Sequence, residues 1–216
     1  MPPAAATPKT FLYVDGFNFY YRALKGSPYR WLDVATLFKR ILPNNDLAAI
    51  WYFTSPVSGT ADDPLKPVRQ QLYWRALATL PNFTMRKGEF HTNYVRRPLS
   101  RDLRGLPAGT NIEVVDTKEK GADVMLASML IRHACSGDFE AAAVISHDSD
   151  LVLPINMVRD HYGYPIGVLD PSDERSASLQ AACTFYRQIR QSHLKVSLFP
   201  EVMTDSKGSF TKPPSW

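Results

Sequence analysis

With 216 residues, 44% of them hydrophobic and 21% charged, the chain has the make-up of a soluble globular protein and the length for one sizeable core. No apolar run approaches the roughly 20 residues that span a bilayer, and residues 1–9 lack the basic start and apolar core of a signal peptide, so a cytoplasmic location and no membrane partner are expected. The net charge of +4 permits a polyanionic partner without requiring one.

Residues 1–9 read as a flexible tail. Residues 10–15, TFLYVD, form an apolar run with aromatic and β-branched content that ends on a carboxylate, which predicts a buried strand. A helix starts near Phe17 and fades before Gly26. Another spans residues 33–42, with Asp33 as N-cap and Val34, Leu37, Phe38 and Ile41 on one face. Residues 47–54 predict a second buried strand, 55–67 a loop, 68–80 a long amphipathic helix and 83–90 a third strand. Residues 91–110 are rich in Arg, Pro and Gly without a clear period and read as a basic surface loop or insertion, with a short extended piece at 112–115.

A helix follows over residues 122–135, then a buried strand at 141–146 and a helix at 151–161 with Pro154 in its first turn. A strand at 164–170, a short helix at 176–182 and an edge strand at 184–189 complete the pattern. Residues 200–216 turn polar and Pro-containing and read as a mobile end or docking strip. Cys135 and Cys183 lie in apolar contexts and are expected as buried free thiols, and the histidines show no zinc-site spacing.

Apolar strands alternating with amphipathic helices predict an α/β sandwich with a mostly parallel sheet, residues 10–199 forming one domain. Right-handed crossovers bring every strand's C-terminal end to the same edge, where ligands bind in open α/β sheets. Asp15 ends the first strand, and Asp148 and Asp150 follow the strand at 141–146. Carboxylates held close repel one another unless a cation neutralises them, and a hard divalent ion with oxygen ligands is the natural solution. Asp150 also suits a helix cap. Asn18 is placed either to orient Asp15 or a metal-bound water, or to cap the first helix. Asp123 falls in the first turn of a helix, where the dipole alone favours a carboxylate.

Three blocks together resemble the NYN domain (DUF88, LabA-like) family of the PIN-like nuclease superfamily: Tyr13-Val14-Asp15-Gly16-Phe17-Asn18, Glu119-Lys120-Gly121-Ala122-Asp123-Val124, and Val144 through Leu151 with Asp148 and Asp150. They occur in family order. The resemblance implies a Rossmann-like, PIN-type three-layer sandwich and Mg²⁺- or Mn²⁺-dependent cleavage of RNA; endonucleolytic action is favoured over exonucleolytic, and the sequence leaves both open. It implies Asp15, Asp123, Asp148 and Asp150 as metal-site acids, with Asn18 in support. Some relatives carry a further acid on the helix after Asp123. Here that face offers Ser128, Met129 and Arg132. The reduced acid set leaves a non-catalytic RNA-binding module as the alternative.

Candidates to hold the RNA backbone are Arg86, Lys87, Arg96, Arg97, Arg101, Arg104 and Lys120, with Phe90 and Tyr94 placed among them for base stacking. Ser146 and Ser149 are candidates for a phosphate oxygen. RNA is the expected partner, and a homodimer is left open. A haloacid-dehalogenase-like phosphatase would want a second Asp where Phe17 stands, and the turn after the first strand lacks the Gly-rich loop of a nucleotide-binding Rossmann domain.

Overall fold

A strand as apolar as KTFLYVD, Lys9–Asp15 (β1), is stable only where helices cover both of its faces. The computed structural model, which describes residues 7–216, places it at the centre of a six-stranded sheet. The strands follow as Asp46–Thr54 (β2), Phe83–Lys87 (β3), Glu89–Pro98 (β4), Asn111–Lys120 (β5), Ala141–Ile145 (β6), Ile166–Asp170 (β7) and Phe185–Gln188 (β8). The sheet order is β3-β2-β1-β6-β7-β8, and each neighbouring pair is parallel. Strand order reverses between β1 and β6, so their C-terminal ends flank the switch point at which open α/β sheets bind ligands.

The helices are Gly16–Phe19 (α1), continued by a π-helical turn Tyr20–Leu24, Val34–Ile41 (α2), Lys66–Leu77 (α3), Ala122–Ser136 (α4), Val152–Asn156 (α5), Ala177–Ala182 (α6) and Gln191–Lys195 (α7). Strand residues alternate between two cores. Leu12, Val14, Ile50 and Tyr52 pack with α2 and α3, while Phe11, Tyr13, Phe53 and Val144 pack with Leu126 and Leu130 of α4. The result is the expected Rossmann-like, PIN-type three-layer sandwich. Sequence signals set its local limits. Asp33 caps α2 by accepting from the N–H groups of Ala35 and Thr36, Ser176 caps α6, and Pro154 sits in the first turn of α5.

Four expectations are corrected. Residues 91–110 are irregular only over 99–110: residues 91–98 belong to β4, which pairs antiparallel with β5 from Glu89↔Lys120 to Pro98↔Asn111. The segment is an inserted ribbon that leaves the sheet at Gly88 and carries its loop at the tip. The strand expected over 83–90 therefore divides there between two sheets. Residues 200–216 do not form a mobile tail. Val202–Asp205 (β9) and Gly208–Thr211 (β10) make a hairpin whose Phe210 is buried, with its ring 6.4 Å from that of Trp31, and Trp216 packs on Trp31 and Tyr73. Arg75 holds this hairpin to α3 through both oxygens of Asp205 at 2.7 Å. Cys135 is exposed, on the outer side of α4, and only Cys183 is buried. Of the expected N-terminal tail, residues 1–6 lie outside the described residues, and Lys9 already belongs to β1. Among the described residues no helix is long and apolar enough to cross a membrane.

Candidate functional site

Asp15 falls in step with Phe11 and Tyr13, so it points to the α4 side of the sheet at the end of β1. Across the switch point, β6 ends at Ile145 and the chain turns through Ser146, His147 and Asp148 into a single 3₁₀ turn, Ser149–Leu151. The start of α4 closes the third side. Gly121 has φ = 101°, a conformation that an L side chain rarely adopts, and this sharp turn brings Asp123 over the sheet edge. One carboxylate oxygen from each of Asp15, Asp123 and Asp148 lies within 4.8 Å of the others.

Backbone and hydroxyl groups hold this arrangement. The Asn18 N–H donates to Asp15 Oδ1 (3.0 Å) and Ser146 Oγ to Asp15 Oδ2 (2.9 Å), while Ser146 Oγ accepts from the Asp148 N–H (3.0 Å). The side-chain oxygen of Asn18 accepts from the His147 N–H (3.0 Å), tying the turn after β1 to the turn after β6. Neither role weighed for the Asn18 side chain is the one seen: its carboxamide oxygen braces the neighbouring turn, and the cap of α1 is Asp15, which accepts from the Asn18 backbone N–H. Ser146, expected as a phosphate contact, is instead buried with its hydroxyl engaged on both sides. Ser149 is exposed at the start of the 3₁₀ turn. Asp150 stands outside the trio, exposed, its N–H bonded to Asp148 Oδ1 (3.0 Å).

The electrostatics are those of an uncompensated anionic site. Burial, reinforced by the charges of Asp123 and Asp148, outweighs the two hydrogen bonds to Asp15 and pushes its carboxyl up to about 6. Asp123 is raised too, first by burial and then by Asp148, Glu119 and Asp150. Among the described residues no Lys or Arg makes an ion pair with any of the three. An all-oxygen donor set of this charge suits a hard divalent cation such as Mg²⁺ or Mn²⁺.

The trio lines an open cleft of about 360 Å³. Phe17, Tyr21 and Phe90 form an aromatic wall, with Phe17 edge-on to Phe90 at 5.4 Å and Arg22 at the rim. Glu119, quoted within a block but not counted as an acid, also lines the cleft. Its Oε1 accepts from Ser55 Oγ (2.7 Å) and from the Ala122 N–H at the start of α4 (3.2 Å).

The basic residues do not converge. Arg86 lies against Trp51 (5.6 Å) and Lys87 against Trp74 (4.4 Å), on opposite faces of β3. On the ribbon, Arg96 faces Glu113 and Arg97 reaches Asp116 at 3.3 Å. Lys120 is opposite Glu89 at the base, and Arg101 and Arg104 are exposed at the far end. From Glu89 to Lys120 six Lys and Arg side chains stand beside five carboxylates, so the ribbon is close to neutral. Met129 packs against the α4 core, leaving no acid on that face of the helix.

Two functional features escaped the sequence reading. Asp170, at the end of β7, is fully buried and accepts from the Ser172 N–H (2.8 Å), from the Tyr186 hydroxyl and from His147 Nδ1 (2.8 Å). The strand-end rule that picked out Asp15 also covers Asp170. The second is Gly16, where a Cβ would lie 2.6 Å from Tyr52 Cε1 and 2.8 Å from the Phe53 carbonyl oxygen. Gly16→Ala is expected to lower stability by about 1–3 kcal/mol through overpacking, measured by urea denaturation. An unchanged midpoint would show that α1 can move away from β2.

A family model described as the NYN domain matches residues 9–190. The chain is similar to a 6-hydroxy-3-succinoylpyridine 3-monooxygenase from Pseudomonas putida, with 27% identity over 96% of this chain and 75% of that protein. A crystal structure of a protein of unknown function from Vibrio parahaemolyticus matches with a TM-score of 0.56 and 16% identity, over 91% of this chain and 99% of that one, a likeness of fold alone.

Proposed function

Because the chain belongs to the NYN domain family, whose fold is nuclease-like, we propose that it is a metal-dependent ribonuclease hydrolysing RNA phosphodiester bonds in the cleft of Asp15, Asp123 and Asp148. The convergence of those three carboxylates at the switch point carries the reading. Their side chains would hold Mg²⁺ or Mn²⁺, with Asp150 reaching the site through water. A cation there lowers the pKa of a bound water and polarises the phosphoryl oxygen. The protein's own residues supply the rest. Asn18 and Ser146 hold Asp15 at a fixed angle, and Ser146 sets the backbone of Asp148 by the same hydroxyl. The aromatic wall of Phe17, Tyr21 and Phe90 offers stacking faces for unpaired bases, and Arg22 a cation for a neighbouring phosphate. An open cleft admits a continuous strand, which favours an endonucleolytic cut.

The test is cleavage of end-labelled single-stranded RNA by wild type and Asp148→Asn, with Mn²⁺ and with EDTA. Wild type is expected to cut only with the metal, and the variant to be slower by roughly 10²–10³-fold. Equal cutting by both proteins would remove the nuclease reading, and RNA bound but uncut would leave a non-catalytic RNA-binding module. The monooxygenase similarity, which spans 96% of the chain, supports a second reading: oxygenation of a small hydroxylated heteroaromatic. Oxygen uptake dependent on such a compound and a reductant, with no RNA cleavage, would favour it.

A further inference from the structure

A second cavity, of about 270 Å³, lies on the other side of the sheet from α4, between the α1 segment, α3 and the C-terminal residues. Its walls are aromatic, built from Tyr20, Tyr52, Tyr73, Trp74 and Trp216. Flat apolar walls of this kind select a planar ring, and the volume suits a small molecule.

Some of the polar groups in this cavity are spent on the fold, as in Gln70, which accepts from the Val57 N–H and donates to the Ser55 carbonyl, and others are not. Tyr73 lines it too, and its hydroxyl donates to the Leu32 carbonyl at 2.9 Å. Tyr52 and Thr54 are each 4% exposed, and among the described residues neither hydroxyl has a protein hydrogen-bond partner. Both oxygens open onto the cavity rather than being sealed in the core, so a ligand there can take the place of water as their hydrogen-bond partner. Burial, with the nearby Asp15 carboxylate, pushes the Tyr52 phenol up, so it stays protonated and able to donate.

The charge around the cavity is one-sided. Lys25, Arg30, Lys66 and Arg69 line it against a single carboxylate, Asp63, which is already paired with Arg69. Among the described residues Lys25, Arg30 and Lys66 have no carboxylate partner. Arg30 is held in place by the carbonyls of Ser27 (3.1 Å) and Ser215 (2.5 Å), beside the Trp216 ring.

We propose that this cavity is a binding site for a small planar aromatic ring bearing an anionic group, with the ring between the aromatic walls, the anion at Arg30 and Lys66, and the Tyr52 hydroxyl donating to the ring's polar edge. Two sources share that chemistry, a free nucleoside monophosphate and an aromatic carboxylate. The inference stands on the cavity's geometry and does not depend on cleavage in the acidic cleft.

The experiment titrates the full chain, in EDTA, with adenosine monophosphate, uridine monophosphate, hydroxynicotinate and hydroxybenzoate. Fluorescence of Trp74 and Trp216 reports binding, and calorimetry confirms it. Saturable binding of a nucleotide or of a carboxylate is expected, and the arm that binds identifies the source. Tyr52→Phe removes only an unpartnered oxygen. It is expected to keep the melting temperature while weakening binding about three- to tenfold. Lys66→Ala is expected to weaken it by a similar factor and to reduce its salt dependence. No saturable binding of any probe at millimolar concentration, or binding indifferent to both substitutions, would overturn the proposal. Working in EDTA keeps this result separate from the fate of the metal-site reading.

Discussion

In metal-free protein near pH 7, Asp15→Asn is expected to melt higher than wild type and to gain nothing from Mn²⁺. Asp15 is 3% exposed, and its carboxyl is pushed up to about 6 from an ordinary 3.8, chiefly by burial and then by Asp123 and Asp148. The folded state therefore holds a proton that the unfolded chain releases between those two pH values. Stability falls as pH rises through that window, and the penalty is complete above about 6. Its size is on the order of 3 kcal/mol. Asparagine removes the charge and keeps an acceptor for the Asn18 N–H, but Ser146 Oγ must turn to meet an amide, a loss of about 1 kcal/mol. The balance is a rise of a few degrees, since ~1 kcal/mol moves a chain of this size by about 2–4 °C. In wild type Mn²⁺ would cancel the same repulsion, so wild type alone should be stabilised by the ion, and cleavage should fall by roughly 10²–10³-fold in the variant. Melting curves from pH 4 to 8 with EDTA and with Mn²⁺ decide it. Identical pH slopes and identical gains from Mn²⁺ in the two proteins would mean that Asp15 is not the strained member of the cluster.

What the sequence made legible follows from where burial is two-sided. β1 and β6 are apolar on both faces, so their limits are plain, and parallel topology then puts Asp15 and Asp148 on one edge without knowledge of any contact. Asp123 is different. A carboxylate in a first helical turn is ordinary, and only the family resemblance joined it to the site. The β4–β5 ribbon was missed for the opposite reason: most of its side chains are exposed, so no buried face imposes a clear apolar alternation. The C-terminal hairpin was missed because Phe210 and Trp216 are isolated apolar residues in a polar stretch, and their burial depends on Trp31 and Tyr73, far away in the chain. Ser146 reads as a small turn residue, yet its bond to Asp15 spans 131 positions, a relation that no local pattern encodes.

Asp170→Ala tests the other buried carboxylate at the sheet edge, and its effect should be of the opposite sign. Asp15 is raised by burial and by its acidic neighbours, whereas Asp170 accepts from three groups at once: the Ser172 N–H, His147 Nδ1 and the Tyr186 hydroxyl. Alanine would take a fully buried acceptor away from all three, of which His147 and Tyr186 are half-buried and Ser172 buried, an expected loss of about 3–5 kcal/mol. At this chain length that is a fall in melting temperature on the order of 10 °C. The consequence should reach the metal site, because the ring that Asp170 holds belongs to the residue whose N–H is bonded to Asn18 and which precedes Asp148. Loss of a support one step behind a ligand typically weakens metal binding by about 10–100-fold. Tyr186→Phe removes one of the three donors and should cost about 1 kcal/mol, giving a folded control. His147→Ala separates the two roles. It leaves the bonds of Asp170 to Ser172 and Tyr186 in place, so most of the stability should remain while Mn²⁺ affinity drops. If His147→Ala binds Mn²⁺ as wild type does, Asp170 supports the fold alone and the link through His147 to Asp148 is wrong.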